Sequence, residues 1–234
     1  MARRRLRFVA WIAKALAYTL GAALLAVIGI QLWFMSHLIY WSSYNPSSTA
    51  FMDRYLEKPG TKIRHNWVPY NRISEHLKRA VVAAEDAKFL DHEGFDWDAI
   101  QKAILKNEER GRVVAGASTI TQQLSKNLFL SGSRSWLRKA QEAAITWMME
   151  RTLSKRRILE MYLNVAEWGE GVFGAEAAAR HHFGIPAAAL TAEQGAYLAA
   201  ILPSPRKYDR GRETPYIRGR MTTISARMNT AQIP

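Results

Sequence analysis

Residues 15–35 read ALAYTLGAALLAVIGIQLWFM, without one charged side chain. No other feature restricts the fold as much. About 20 consecutive apolar residues span a bilayer core as a helix, the form in which a lone segment satisfies all its own backbone polar groups away from water. The apolar character continues to Trp41. Arg3, Arg4, Arg5, Arg7 and Lys14 precede or enter the run, and Asp53 is the first Asp, Glu, Lys or Arg after it. Basic flanks stay on the cytoplasmic side. The expectation is therefore a cytoplasmic segment over 1–14, a single transmembrane helix over 15–38, and the rest of the chain outside the inner membrane. Trp33, Tyr40, Trp41 and Tyr44 suit the outer interface. The competing reading is a cleaved signal peptide. The run exceeds the roughly 7–15 residues of a typical signal core, and no small-x-small cleavage site closes it.

The chain has 234 residues, a net charge of +13 and no cysteine. Absence of cysteine removes disulfides, zinc–thiolate sites and thiol nucleophiles. The cationic excess fits a solvated surface or an anionic partner. A domain outside the membrane does not meet nucleic acid, so the partners expected are anionic membrane lipids or a lipid-linked substrate.

Residues 39–71, with Ser, Asn, Pro and Gly, read as a linker and lead-in segment. From 72 to 234 the texture is helical. Ile73, Leu77, Ala80, Val81 and Ala84 recur at helical spacing over 72–86. Asp96 can cap a helix whose apolar positions are Trp97, Ile100, Ala103 and Ile104. Thr119 and Gln122 have the form of a capping box before the stripe Ile120, Leu124, Leu128, and Thr191 with Gln194 repeats that form before GAYLAAIL. Ser135 and Ser154 open two further helices, GEGVFG reads as a turn, and Ala175–Phe183 reads as a helix stopped by Gly184. No alternating series of strands is visible.

Four stretches carry candidate chemistry, each ambiguous alone. EDAKFLDHEG, 85–94, gathers Glu85, Asp86, Asp91, His92 and Glu93 in a basic chain. It reads as a solvated turn, as a metal site, or as a catalytic carboxylate whose pKa is raised by partial burial. GASTITQQLSKN, 116–127, leads small residues into a helix start, where free N–H groups suit an anion. Gln122 and Lys126 share one helical face there and Gln123 and Asn127 the next. RKAQE, 138–142, spaces Arg138 and Glu142 as an ordinary surface ion pair would be. KRRILEMYLNVAEWGEGVFG, 155–174, sets Lys155 and Arg157 at a helix start and Glu160 and Asn164 one turn apart.

Taken in order, these stretches resemble the peptidoglycan glycosyltransferase family in its monofunctional, membrane-anchored form. The first family motif is matched by Glu85, Asp86, Phe89, His92 and Gly94. The second is matched by Gly116, Ser118, Thr119, Ile120, Thr121, Gln122 and Gln123, with Lys126 and Asn127 following. Arg138, Lys139 and Glu142 match the third, and Ile158 to Asn164 with Gly169, Gly171 and Gly174 the fourth. Glu193, Leu198, Ala199, Ala200 and Pro203 match the fifth. The resemblance covers about 72–205.

It implies a mostly α fold, with a lysozyme-like helical lobe and a small membrane-facing jaw. It implies polymerisation of lipid II into glycan strands by inverting transfer from a polyprenyl-diphosphate-linked glycan to the GlcNAc 4-hydroxyl of lipid II. Glu85 and Glu142 take the catalytic positions, Glu85 as base. For Glu142 three roles stand open: orienting cations, holding a metal, or assisting the leaving diphosphate. Asp86, His92, Ser118, Thr119, Gln122, Gln123, Lys126, Asn127, Arg134, Arg138, Lys139 and Lys155 are the expected substrate or diphosphate contacts. A divalent cation, Mg or Mn, is a cofactor consistent with such chemistry, with no assigned ligands. Other cell-wall synthesis proteins are partners that membership would allow. Two other classes of function share parts of this pattern: a lysozyme-like muramidase or lytic transglycosylase, and a non-catalytic scaffold for wall assembly. Leu128, Phe129, Leu130 and Trp136 are expected either at the lipid interface or in the core. The basic tail after Pro205 reads as a solvated or membrane-facing surface.

Overall fold

The computed structural model describes residues 2–112, 114, 116–130, 132, 135–209 and 214–234. Helix α1 spans Ala2–Trp41, and its stretch Val9–Trp41 is long and apolar enough to cross a membrane. The basic N-terminal segment is thus the first turns of the same helix. After α1 come α2 (Ala50–Leu56), strand β1 (Arg64–His65), a 3₁₀ turn (Tyr70–Arg72), α3 (Glu75–Glu85), α4 (Trp97–Arg110), α5 (Ile120–Phe129), α6 (Trp136–Thr152) and α7 (Lys155–Val165). A short hairpin, β2 (Glu167–Gly169) and β3 (Val172–Phe173), leads to α8 (Ala175–Phe183), α9 (Ala192–Ile201), α10 (Pro205–Tyr208) and α11 (Pro215–Met228). The chain is mostly α-helical, as expected.

Helix starts follow local chemistry. Ser74, Asp96, Ser135 and Ser154 each accept a backbone N–H of the first turn they precede, and Thr119 and Thr191 form complete capping boxes with Gln122 and Gln194. Each cap satisfies donors that a helix cannot satisfy internally. The core gathers Leu77, Ala80 and Val81 of α3, Ile120 and Leu124 of α5, Ile145 and Met149 of α6, Ile158 and Leu159 of α7, and Leu198 of α9. Helix α3 packs on α9 and α11, and α5 packs on α6 and α7. Gly195 permits the α3–α9 approach, since a Cβ there would lie 3.1 Å from the His76 backbone.

Four findings differ from the sequence expectations. The segment read as linker contributes α2, with Met52 and Tyr55 buried. GEGVFG is a hairpin, and β1 joins β3 in parallel with Arg64 opposite Val172, giving the order β1-β3-β2. Strands this short carry no readable alternation. The stripe of α4 faces outward: none of its residues is buried, and Trp97 is 70% exposed. The basic tail forms α11, which inserts Ile217, Ile224 and Met228 into the core. The expected interface group divides too. Leu128 and Leu130 are buried, Phe129 packs against Phe34 and Trp41 of α1, and Trp136 is 91% exposed.

Candidate active site

Helix α3 ends at Glu85 because Asp86 leaves helical geometry, with φ −162° and ψ 71°. The Asp86 carboxylate turns inward. Its Oδ2 accepts the Ile120 N–H at 3.0 Å, and its Oδ1 accepts from His92 Nε2 at 2.8 Å. Nδ1 of His92 accepts the Gly94 N–H at 3.1 Å. The Gly94 carbonyl accepts the Thr119 hydroxyl at 2.7 Å. Gly94 has φ +88°, and a Cβ there would strike Thr146 Cγ2 at 2.7 Å, so no other residue fits. Asp86, His92, Gly94 and Thr119 therefore tie the end of α3 to the start of α5. The carboxylate sits where the α5 N–H groups and dipole favour negative charge.

Glu85, the last residue of α3, is held differently. Its Oε2 accepts from Gln123 Nε2 at 2.9 Å, and Gln123 Oε1 accepts the Tyr162 hydroxyl at 2.9 Å. This buried tyrosine fixes which way the Gln123 amide points. Arg220 Nη2 of α11 stands 3.8 Å from Glu85 Oε1. Burial raises the Glu85 pKa above the ordinary carboxylate value. The Gln123 hydrogen bond and the Arg220 and Lys126 charges oppose that rise, while Asp86 adds to it. Burial also raises Tyr162 well above its usual value, reinforced by the Glu85 and Asp86 charges, so its hydroxyl stays a donor.

Lys126 lies one turn beyond Gln123 on α5. Burial lowers its pKa, and the charges of Glu142 and Glu85 pull it back up. Glu142, on α6, is 3% exposed. Its Oε2 accepts from Arg138 Nη1 at 2.6 Å, and its Oε1 accepts from Lys139 Nζ. The bland reading of Arg138 and Glu142 as a surface pair does not hold, because the carboxylate is buried. Nε of Arg138 is buried and makes no hydrogen bond among the described residues. Gln123, Lys126 and Asn127 line a cleft of ≈ 150 Å³ with Phe51, Tyr162 and Glu167.

The other expected site residues fall into different places. Thr119 and Gln122 are buried and spend their polar atoms on the α5 capping box. Ser118 is exposed at the mouth of α5, and its carbonyl accepts weakly from Gln123 at 3.5 Å. Lys155 donates to the His92 carbonyl at 2.6 Å and to Glu150 Oε1 at 2.9 Å, with its ammonium over the Phe89 ring. It braces the Asp86–His92 layer. Arg134 lies outside the described residues. Glu160 accepts from the Tyr70 N–H, and Asn164 bonds both polar groups of Val68, so this pair clamps the lead-in segment. Arg220 escaped the sequence reading, and Tyr162 entered it only as a position of the fourth motif, without a site role.

A hard cation needs several convergent oxygens. Both Asp86 oxygens are bonded within the protein, and both Glu142 oxygens are on cations. Among the described residues, ligand atoms converge within 4.8 Å only at His181, His182 and Asp209. There His181 is already held between Arg64 and Asp209. The glutamate site does not fit a cation held by protein side chains alone.

A family model described as Transglycosylase matches residues 52–229. The chain belongs to the transglycosylase family. The match reaches from α2 through α11, so the C-terminal helix lies inside the transglycosylase domain. The chain is 57% identical over 216 residues to the biosynthetic peptidoglycan transglycosylase of Nitrosospira multiformis, covering 90% of this chain and 94% of that protein. It is 55% identical over 217 residues to the Methylobacillus flagellatus protein of the same name, covering 91% and 95%. The Azoarcus sp. protein of that name is 55% identical over 230 residues, covering 94% and 99%. This transglycosylase is a glycosyltransferase enzyme with an apolar N-terminal helix suited to crossing a membrane.

Proposed function

We propose that the chain polymerises lipid II into peptidoglycan glycan strands, with α1 in the inner membrane, its N-terminus cytoplasmic and the catalytic domain outside. The donor is a glycan on a polyprenyl diphosphate. The acceptor 4-hydroxyl attacks C1, the bond from C1 to the diphosphate oxygen breaks, and the configuration inverts without a covalent enzyme intermediate. Glu85 takes the hydroxyl proton. A base largely excluded from water, with a raised pKa, suits that task. The leaving diphosphate gathers negative charge, which Lys126, Arg138 and Lys139 meet. Cations preorganised at the site of developing charge lower the barrier more than they tighten ground-state binding. Glu142 holds Arg138 and Lys139 in place and so acts through them.

The observation that carries this reading is the contrast between two buried glutamates whose charges both act on Lys126, one nearly free of direct cation contact and one saturated by it. A muramidase needs an acid at the glycosidic oxygen and gives the cation group no task. Asp86, His92, Thr119, Gln122 and Lys155 hold the frame, and Gln123 orients Glu85. Incubating the purified full chain with lipid II tests the proposal. Polymer from wild type, only a small residue of it from Glu85→Gln, and no cleavage of preformed strands supports it. Cleavage of strands without polymerisation overturns it.

A further inference from the structure

The base at Glu85 has a neighbour that no motif of the sequence supplies. Helix α11 packs against α3, anchored by Ile217, Ile224 and Met228, and brings Arg220 to 3.8 Å from Glu85 Oε1. Oε2 of the same carboxylate is taken by Gln123. The two oxygens are therefore treated differently: one holds a direct neutral hydrogen bond, the other faces a guanidinium across a gap slightly longer than a hydrogen bond. Nε of Arg220 is buried and makes no hydrogen bond among the described residues. A buried, unpartnered donor costs free energy and calls for an explanation. Between α3 and α11 runs a groove of ≈ 480 Å³, floored by Ala83, Ala84 and Gly219 and walled by Tyr216, Arg220 and Arg227. Small floor residues leave the guanidinium room to close the remaining gap.

We propose that Arg220 is a positioning residue for the transfer reaction, holding Glu85 ionised and its Oε1 oriented until the acceptor hydroxyl arrives. The proposal rests on Glu85 being the base. Arginine suits this role because it stays charged and does not compete for the proton. Among the described residues, the other groups that act on Glu85 are Asp86 on its own chain segment, Gln123 and Lys126 from α5, and the Tyr162 hydroxyl through Gln123 from α7. Of these, Asp86 and burial favour the protonated acid. Lys126 favours the carboxylate but is shared with Glu142. Arg220 is the cation whose near carboxylate is Glu85. Without it the acid limb of the rate profile moves to higher pH, and turnover at neutral pH falls because less of the base is ionised.

The test is the pH dependence of lipid II polymerisation by full-length wild type, Arg220→Gln, Arg220→Lys and Arg227→Gln. For Arg220→Gln we expect kcat lower by about 10-fold near neutral pH, KM within about 2-fold, and the acid limb displaced upward. Arg220→Lys should return the limb most of the way. Arg227→Gln should match wild type. An Arg220→Gln limb that stays in place overturns the proposal, whether activity is unchanged or falls equally at every pH, since an even loss is what a packing role produces. If Arg220→Gln does not fold, the lysine variant decides: a limb shifted between wild type and none supports the proposal, and an unshifted limb with lost activity overturns it. Full activity in Glu85→Gln would instead remove the base assignment, and this proposal with it.

Discussion

The two glutamates whose charges both act on Lys126 are held in opposite ways. Glu85 ends α3 with one amide hydrogen bond and a guanidinium held off at 3.8 Å, and burial pushes its pKa up. Glu142 lies in the middle of α6 with each oxygen on its own cation. On the proposed mechanism the same side chain accepts a proton in one place and organises charge in the other. Environment, not residue type, separates the roles. The surrounding layers repeat the division. Asp86 bonds His92 and the start of α5, Lys155 bonds His92 and Glu150, and Thr119 bonds Gly94, whereas Lys126, Asn127 and Gln123 border open space.

The largest expected effect is at Glu85. Glu85→Gln should lower polymerisation by about 10²–10⁴-fold. It should also raise the melting temperature at neutral pH. A carboxylate whose folded pKa is raised binds a proton in the native state that the unfolded chain has released. Its contribution to stability is present below the ordinary value of 4.5 and is lost as pH rises from there through the folded pKa. The stability gain of the glutamine variant should therefore be larger at pH 8 than at pH 4, by thermal melts. Glu142→Gln should also cut activity severely, about 10²-fold, with the opposite stability sign. Breaking a buried pair typically costs 3–5 kcal/mol. The Lys139 side chain is 45% exposed and can reach water, so a loss of roughly 1–3 kcal/mol is expected here. Both variants gaining stability would erase the contrast. Gln123→Leu comes last. It removes one bond to Glu85 and one to Tyr162, and we expect kcat to fall about 5–20-fold with KM little changed, in line with a loss of about 1–2 kcal/mol.

Much of this was legible in residue order. Asp96, Thr119, Ser135, Ser154 and Thr191 announced their helices because capping is decided within four residues. Glu85 and Glu142 were found through motifs, and Gln123 was seen as a site residue. What the sequence hid depended on contacts far apart in the chain. Asp86 and His92 look like ligands in a list and become struts only once α5 arrives at Ile120. Tyr162 is a motif position with no visible task until Gln123 reaches it. The tail hid most, since Ile217, Ile224 and Met228 lie among arginines that suggest solvent, and only packing against α3 and α9 shows which face is buried. The α4 stripe misled the other way: its helical period was right, but Trp97 and Ile104 face outward.

The most direct measurement of the central claim is kcat/KM for lipid II polymerisation from pH 4 to 9 in wild type, Glu85→Gln and Glu142→Gln. The account predicts an acid limb above the ordinary carboxylate range in wild type, the same limb at lower amplitude in Glu142→Gln, and none in the residual activity of Glu85→Gln. A limb that survives in Glu85→Gln and vanishes in Glu142→Gln would contradict it, because the proton would then be going to the carboxylate this structure shows saturated with cations.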